Sequence, residues 1–130
     1  MAKSSMLEQY TLPSERLLSL ADEYTAKLNA MVNSVAIFLR DFEHEENLGY
    51  RERRDTEYYK LSCVVEMGER ILPVTMDLAQ AMSQWIEHGS NEALAKLGMR
   101  LKLAVLEASI RALELMLADN RVQQYHKSIT

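Results

Sequence analysis

Residues 91–120 read NEALAKLGMRLKLAVLEASIRALELMLADN, and the reading of this stretch decides the fold. It holds no proline and a single glycine, Gly98, so little in it interrupts a helix. Met99, Leu103, Leu106, Ile110, Leu113 and Leu117 follow one another in alternating steps of four and three, the spacing that keeps side chains on one side of a helix. Leu94, Gly98, Leu101, Val105, Ala108, Ala112 and Leu115 do the same on the roughly opposite side. A helix with one apolar stripe needs one partner surface, whereas a helix with two needs cover on both flanks. The rest of the chain, or a second chain, has to supply that cover.

Upstream, Thr11, Leu12 and Pro13 open a helix, since a proline in the first turn gives up an N–H that has no partner there. Leu17, Ala21, Tyr24, Leu28, Met31, Val35, Phe38 and Phe42 then step by four and three without a fault. Asp22, Lys27, Asn29, Asn33 and Arg40 fall largely on the other side. The pattern predicts an amphipathic helix over about 12–43, roughly 45 Å long.

A second helix is expected over 56–87, capped by Asp55 or Thr56. Pro73 sits inside it and costs ~3 kcal/mol in a regular helix. Leu61, Val65, Gly68 and Leu72 before it stay in phase with Thr75, Leu78, Met82 and Trp85 after it. A chain that turned a corner at Pro73 would have no reason to keep that register, so one helix kinked at Pro73 is expected. Gly68 and Thr75 put little bulk on its core face, leaving room for a close neighbour.

The turn His88-Gly89-Ser90 follows, with Gly89 suited to a left-handed terminus and Ser90 to an N-cap. So short a link makes the second and third helices antiparallel neighbours. The third helix is expected over 91–121, with residues 1–10 and 126–130 frayed.

One domain covering 1–130 follows from the length, and an apolar content of 48% is enough for a core. The net charge of −4 disfavours a nucleic-acid partner, whose phosphates call for clustered Lys and Arg. Cys63 is the only cysteine, which excludes a disulfide within the chain and fits a reducing compartment. The first residues lack the apolar run of a signal peptide, and no run of some 18 apolar residues is free of charge. A cytoplasmic protein without a membrane partner is expected.

These pieces predict an all-α fold: an elongated antiparallel three-helix bundle closed into a larger bundle by dimerisation. In a triangle of three helices each shows its back to water, so one seam of the third helix stays uncovered. The expected interface is the seam Met99, Leu103, Leu106, Ile110, Leu113 and Leu117, packed on itself in a homodimer or on another protein. In outline such a chain is similar to the small acidic helical chaperones of bacterial secretion systems, a likeness of fold that transfers no residue.

Signals for chemistry are sparse. Asp41-x-x-His44 puts two potential metal ligands on one helical face, but the Glu-x-x-His pairs of di-iron bundles are missing. His88 lies in a turn and His126 in the tail. Cys63 has no neighbouring base in sequence and reads as a half-buried structural thiol. No phosphate loop, nucleophile elbow or zinc spacing occurs, so neither a catalytic residue nor a cofactor or metal is assigned. The connector cluster Tyr50, Arg51, Arg53 and Arg54, with Tyr58 beyond it, is the one candidate contact for an anion or ligand. Glu43, Glu45, Glu46, Glu52, Asp55 and Glu57 surround it and offset its field. A non-enzymatic module for protein–protein contact (adaptor, chaperone or regulator) is the expected function. The alternatives are a ligand-binding or catalytic bundle built on the connector 50–59, and a structural subunit of a larger assembly.

Overall fold

The computed structural model describes residues 14–48, 54–89 and 91–129, with side chains for 14–41, 61–89 and 91–127. All described elements are helical: α1 (Ser14–Leu48), α2 (Arg54–His88), α3 (Ala93–Leu117) and α4 (Asn120–Ile129). The three long helices pack pairwise around one core, and α4 folds back mainly onto α2.

On α1, six of the stripe positions (Leu17, Ala21, Leu28, Met31, Val35 and Phe38) are buried, and Tyr24 packs at the edge of the core. Phe42 lies outside the described side chains. Two polar links set how α1 meets α3. The Lys102 ammonium lies 2.7 Å from Asp22 Oδ1, and Ser109 Oγ donates to Asn29 Oδ1 at 2.8 Å. Both join residues 80 positions apart, so the two helices run parallel and in step over that heptad.

Helix α2 runs unbroken through Pro73. The proline is exposed, and the Glu69 carbonyl it leaves without a helical donor lies on the same wet side. On the dry side the buried Thr75 hydroxyl donates to the Leu72 carbonyl at 2.8 Å and so carries no unmet polar group inward. Gly68 is where α3 comes closest. A Cβ there would sit 2.9 Å from Leu117 Cδ1 and 3.5 Å from Leu113 Cδ2.

The turn after α2 departs from expectation. Gly89 does not adopt the left-handed conformation. Its N–H continues the helical pattern to the Trp85 carbonyl at 2.7 Å, and a Cβ would strike the Trp85 ring at 2.6 Å. Glycine is needed there for space beside the indole. Ser90 lies outside the described residues. Glu92 occupies the N-cap position of α3 without a side-chain capping bond.

The C-terminal part also differs: α3 stops at Leu117, and a fourth helix replaces the expected frayed tail. Asp119 starts α4 by accepting the Arg121 backbone N–H at 2.8 Å. Its carboxylate also holds the Arg121 guanidinium, with a 3.1 Å contact from Oδ2 to Nη2. The Arg121 hydrogen bonds beside it draw the Asp119 carboxyl below the usual carboxylate range. The Gln123 side-chain amide donates to the Leu117 carbonyl, which α3 leaves open at its end. Val122 is fully buried, and Tyr125 meets Phe38 edge-on with ring centroids 5.4 Å apart. Ser62 Oγ and His126 Nδ1 share a hydrogen bond of 3.0 Å. The tail is therefore a docked helix, held by Val122 and Tyr125 against the core and by the Ser62–His126 hydrogen bond to α2.

Candidate interaction surface

Helix α3 carries the surface of interest, and the structure turns the expected assignment of its seams around. Met99, Leu103, Leu106, Ile110, Leu113 and Leu117 were the expected interface, yet all six are buried inside the single chain. The reason is geometric. Helices α1 and α2 both lie against that seam, and together they fill the angle it spans. These residues form the intramolecular core and are not presented to a second molecule.

The other seam is the uncovered one. Leu94, Leu101, Val105 and Leu115 are 82%, 61%, 53% and 68% exposed, with Leu97 beside them half exposed. Ala108 between them is exposed as well. A Cβ added to Gly98 would meet nothing within 4 Å, so the glycine leaves a notch in the surface. The seam runs for 22 positions, ~33 Å of helix, with no charged residue on its line. Its patch is on the order of 500 Å², at the upper end of what monomers expose. Lys102 borders it on the α1 side and Arg111 on the α2 side.

Volume separates the two seams. The inner one is made wholly of Met, Leu and Ile, whereas Gly98, Ala108 and Ala112 dilute the outer one. A closely packed core favours the bulky set, because each missing methylene there leaves a void. That signal is present in the sequence and points to the correct side.

Two open grooves flank the bundle. One, of about 610 Å³, lies between α1 and α2 and is lined by Tyr24, Met31, Val64, Met67, Ile71 and Val74, among others. The other, of about 570 Å³, lies between α2 and α3 and includes Gln80, Glu107, Arg111 and Glu114. Neither holds a buried acid or base. The only buried polar side chains among the described residues are Ser62, Thr75 and Ser109. Arg40, Arg70, Arg100 and Arg111 are exposed, in line with the sequence.

The remaining candidates are quickly placed. Tyr50, Arg51 and Arg53 lie outside the described residues. Arg54 and Tyr58 belong to the first turns of α2, with side chains likewise outside them. His44 falls near the end of α1, also beyond the described side chains. Cys63 is half-buried and unpaired with another cysteine. His88 is exposed, 3.4 Å from Glu87. Among the described residues no three His, Cys, Asp or Glu side chains gather to hold a metal, and no helix is long and apolar enough to cross a membrane. No family model matches the chain, and neither a curated protein nor a solved structure matches it significantly.

Proposed function

We propose that the protein is a non-enzymatic helical module for protein–protein contact, working in the cytoplasm, and that its partner docks along the outer seam of α3. One observation carries this reading: Leu94, Leu101, Val105 and Leu115 form a heptad-spaced line, each more than half exposed, on a helix whose other side already fills the core. A rigid backing suits such a surface, since little order has to be created on binding. The shallow grooves and the absence of buried acids and bases among the described residues support contact over catalysis.

The test is a comparative capture from the native cell. Wild type is set beside Leu101→Glu with Val105→Glu, and beside Ile37→Glu, which alters an exposed apolar residue on α1 instead. A protein retained by wild type and by Ile37→Glu but lost from the α3 variant supports the reading. Identical retained sets for all three contradict it.

A further inference from the structure

The outer seam names its own best occupant through the sizes of its residues. Bulky and small positions are so placed along it that their fit depends on the direction of whatever lies against it. A second α3 laid parallel and in register sets like on like: Gly98 faces Gly98 and Ala112 faces Ala112, leaving gaps, while Leu101 crowds Leu101. An antiparallel copy does the opposite. With Val105 level with Ala108 of the second copy, Leu101 meets Ala112 and Leu115 meets Gly98. The Gly98 notch is open to receive Leu115, because nothing of its own chain lies within 4 Å of where a Cβ would be. Leu94 then comes level with Asp119, beyond the end of α3 at the turn into α4.

We infer that the protein forms a two-fold dimer through this face, with the two α3 helices antiparallel and Val105 of each level with Ala108 of the other. This rests on the outer seam being the docking surface and specifies the partner as a second copy. The flanks agree with it. Lys102 comes level with Arg111 of the copy, but Lys102 borders the seam on its α1 side and Arg111 on its α2 side, so in a two-fold contact the two cations lie on opposite edges. Lys102 is in any case held to Asp22 of its own chain. Two patches of on the order of 500 Å² remove ~1,000 Å² from water, the lower bound for a specific interface, before the flanking Ala104 and Met116 are counted. The contact is isologous, so it closes at two chains and does not propagate.

Light scattering on the full chain reads the mass, and disulfide trapping reads the register. The dimer predicts twice 14.9 kDa for wild type and the single-chain mass for Leu101→Glu or Leu115→Glu, with helicity kept in both. In a Cys63→Ser background, mixing Val105→Cys with Ala108→Cys under mild oxidation should trap the mixed pair several-fold more efficiently than either variant alone. Preferential trapping of Val105→Cys with itself overturns the antiparallel register. A single-chain mass for wild type at every concentration overturns self-pairing. In that case, binding of 8-anilinonaphthalene-1-sulfonate that is lost on Leu101→Glu leaves the seam standing as a docking surface for another protein. A doubled mass that neither Glu variant changes places the self-pairing on another surface and overturns the dimer through this seam.

Discussion

Ser109 hands its hydroxyl hydrogen to Asn29 at 2.8 Å from within the interface of α3 and α1, one heptad along both helices from the ion pair of Lys102 and Asp22. The two contacts lock the register between helices that no short turn connects. Ser109 is buried and Asn29 exposed, so only one of the partners can turn to water when the bond is lost. Ser109→Ala should cost about 1 kcal/mol, read as a fall in Tm of ~3–5 °C. Ser109→Leu should cost more, about 1–3 kcal/mol, because it forces bulk into a packed contact. Equal melting of wild type and both variants would show that this register is not fixed here.

The two helical glycines should answer substitution with opposite signs. Gly68 lies 2.9 Å, measured from a built Cβ, from Leu117 Cδ1, and Gly98 meets nothing. Gly68→Val should destabilise by about 1–3 kcal/mol through overpacking. Gly98→Ala should stabilise by about 0.5–1 kcal/mol, the gain from replacing glycine inside a helix. Denaturant unfolding in a Leu101→Glu background, which keeps the chain single, measures both. Gly98→Ala that destabilises there would mean that something of the same chain covers the notch.

Spacing alone locates the core face of α1, since the side chains from Leu17 to Phe38 in the four-and-three series are those that are buried, Tyr24 only in part. It also carries α2 through Pro73, because the register of Leu61 and Val65 with Leu78 and Met82 survives the proline. Spacing cannot say which seam of α3 faces inward, since both repeat alike and neither holds a charge. That choice belongs to the neighbours, and side-chain volume is its local trace. Helix α4 escapes spacing for a different reason. Its ten residues are mostly polar, and besides the local Asp119 cap it stands on the docking of Val122 and Tyr125, which needs the other helices already in place.

Stability should depend on the ionisation of Asp119. Its carboxyl is drawn down mainly by the Arg121 side-chain hydrogen bond, so the folded state favours the carboxylate more than the unfolded chain does. The contribution is complete above the unfolded pKa of about 3.9 and is lost as the pH falls through the lower folded value. Asp119→Ala should cost about 1 kcal/mol near neutrality through the lost cap. The gap between Asp119→Asn and wild type should narrow as acid titrates the carboxylate. A gap that stays constant down to strong acid would assign the effect to shape alone.

Pro73 offers a gain. It is exposed on α2 and withholds one backbone donor from the Glu69 carbonyl, so Pro73→Ala restores a helical bond without touching the core. Chemical denaturation should show about 1–2 kcal/mol of added stability. A loss instead would mean that the curvature imposed by the proline is what fits α2 to the core.

The account stands on which side of α3 is inside, and paired charge insertion followed by thermal circular dichroism tests this most directly. Leu106→Glu with Leu113→Glu places two carboxylates at positions that are completely buried, and should abolish the cooperative melt. Leu101→Glu with Val105→Glu places them on the outer seam, and should leave a helical chain that still melts cooperatively. A folded protein from the first pair, or an unfolded one from the second, contradicts the assignment.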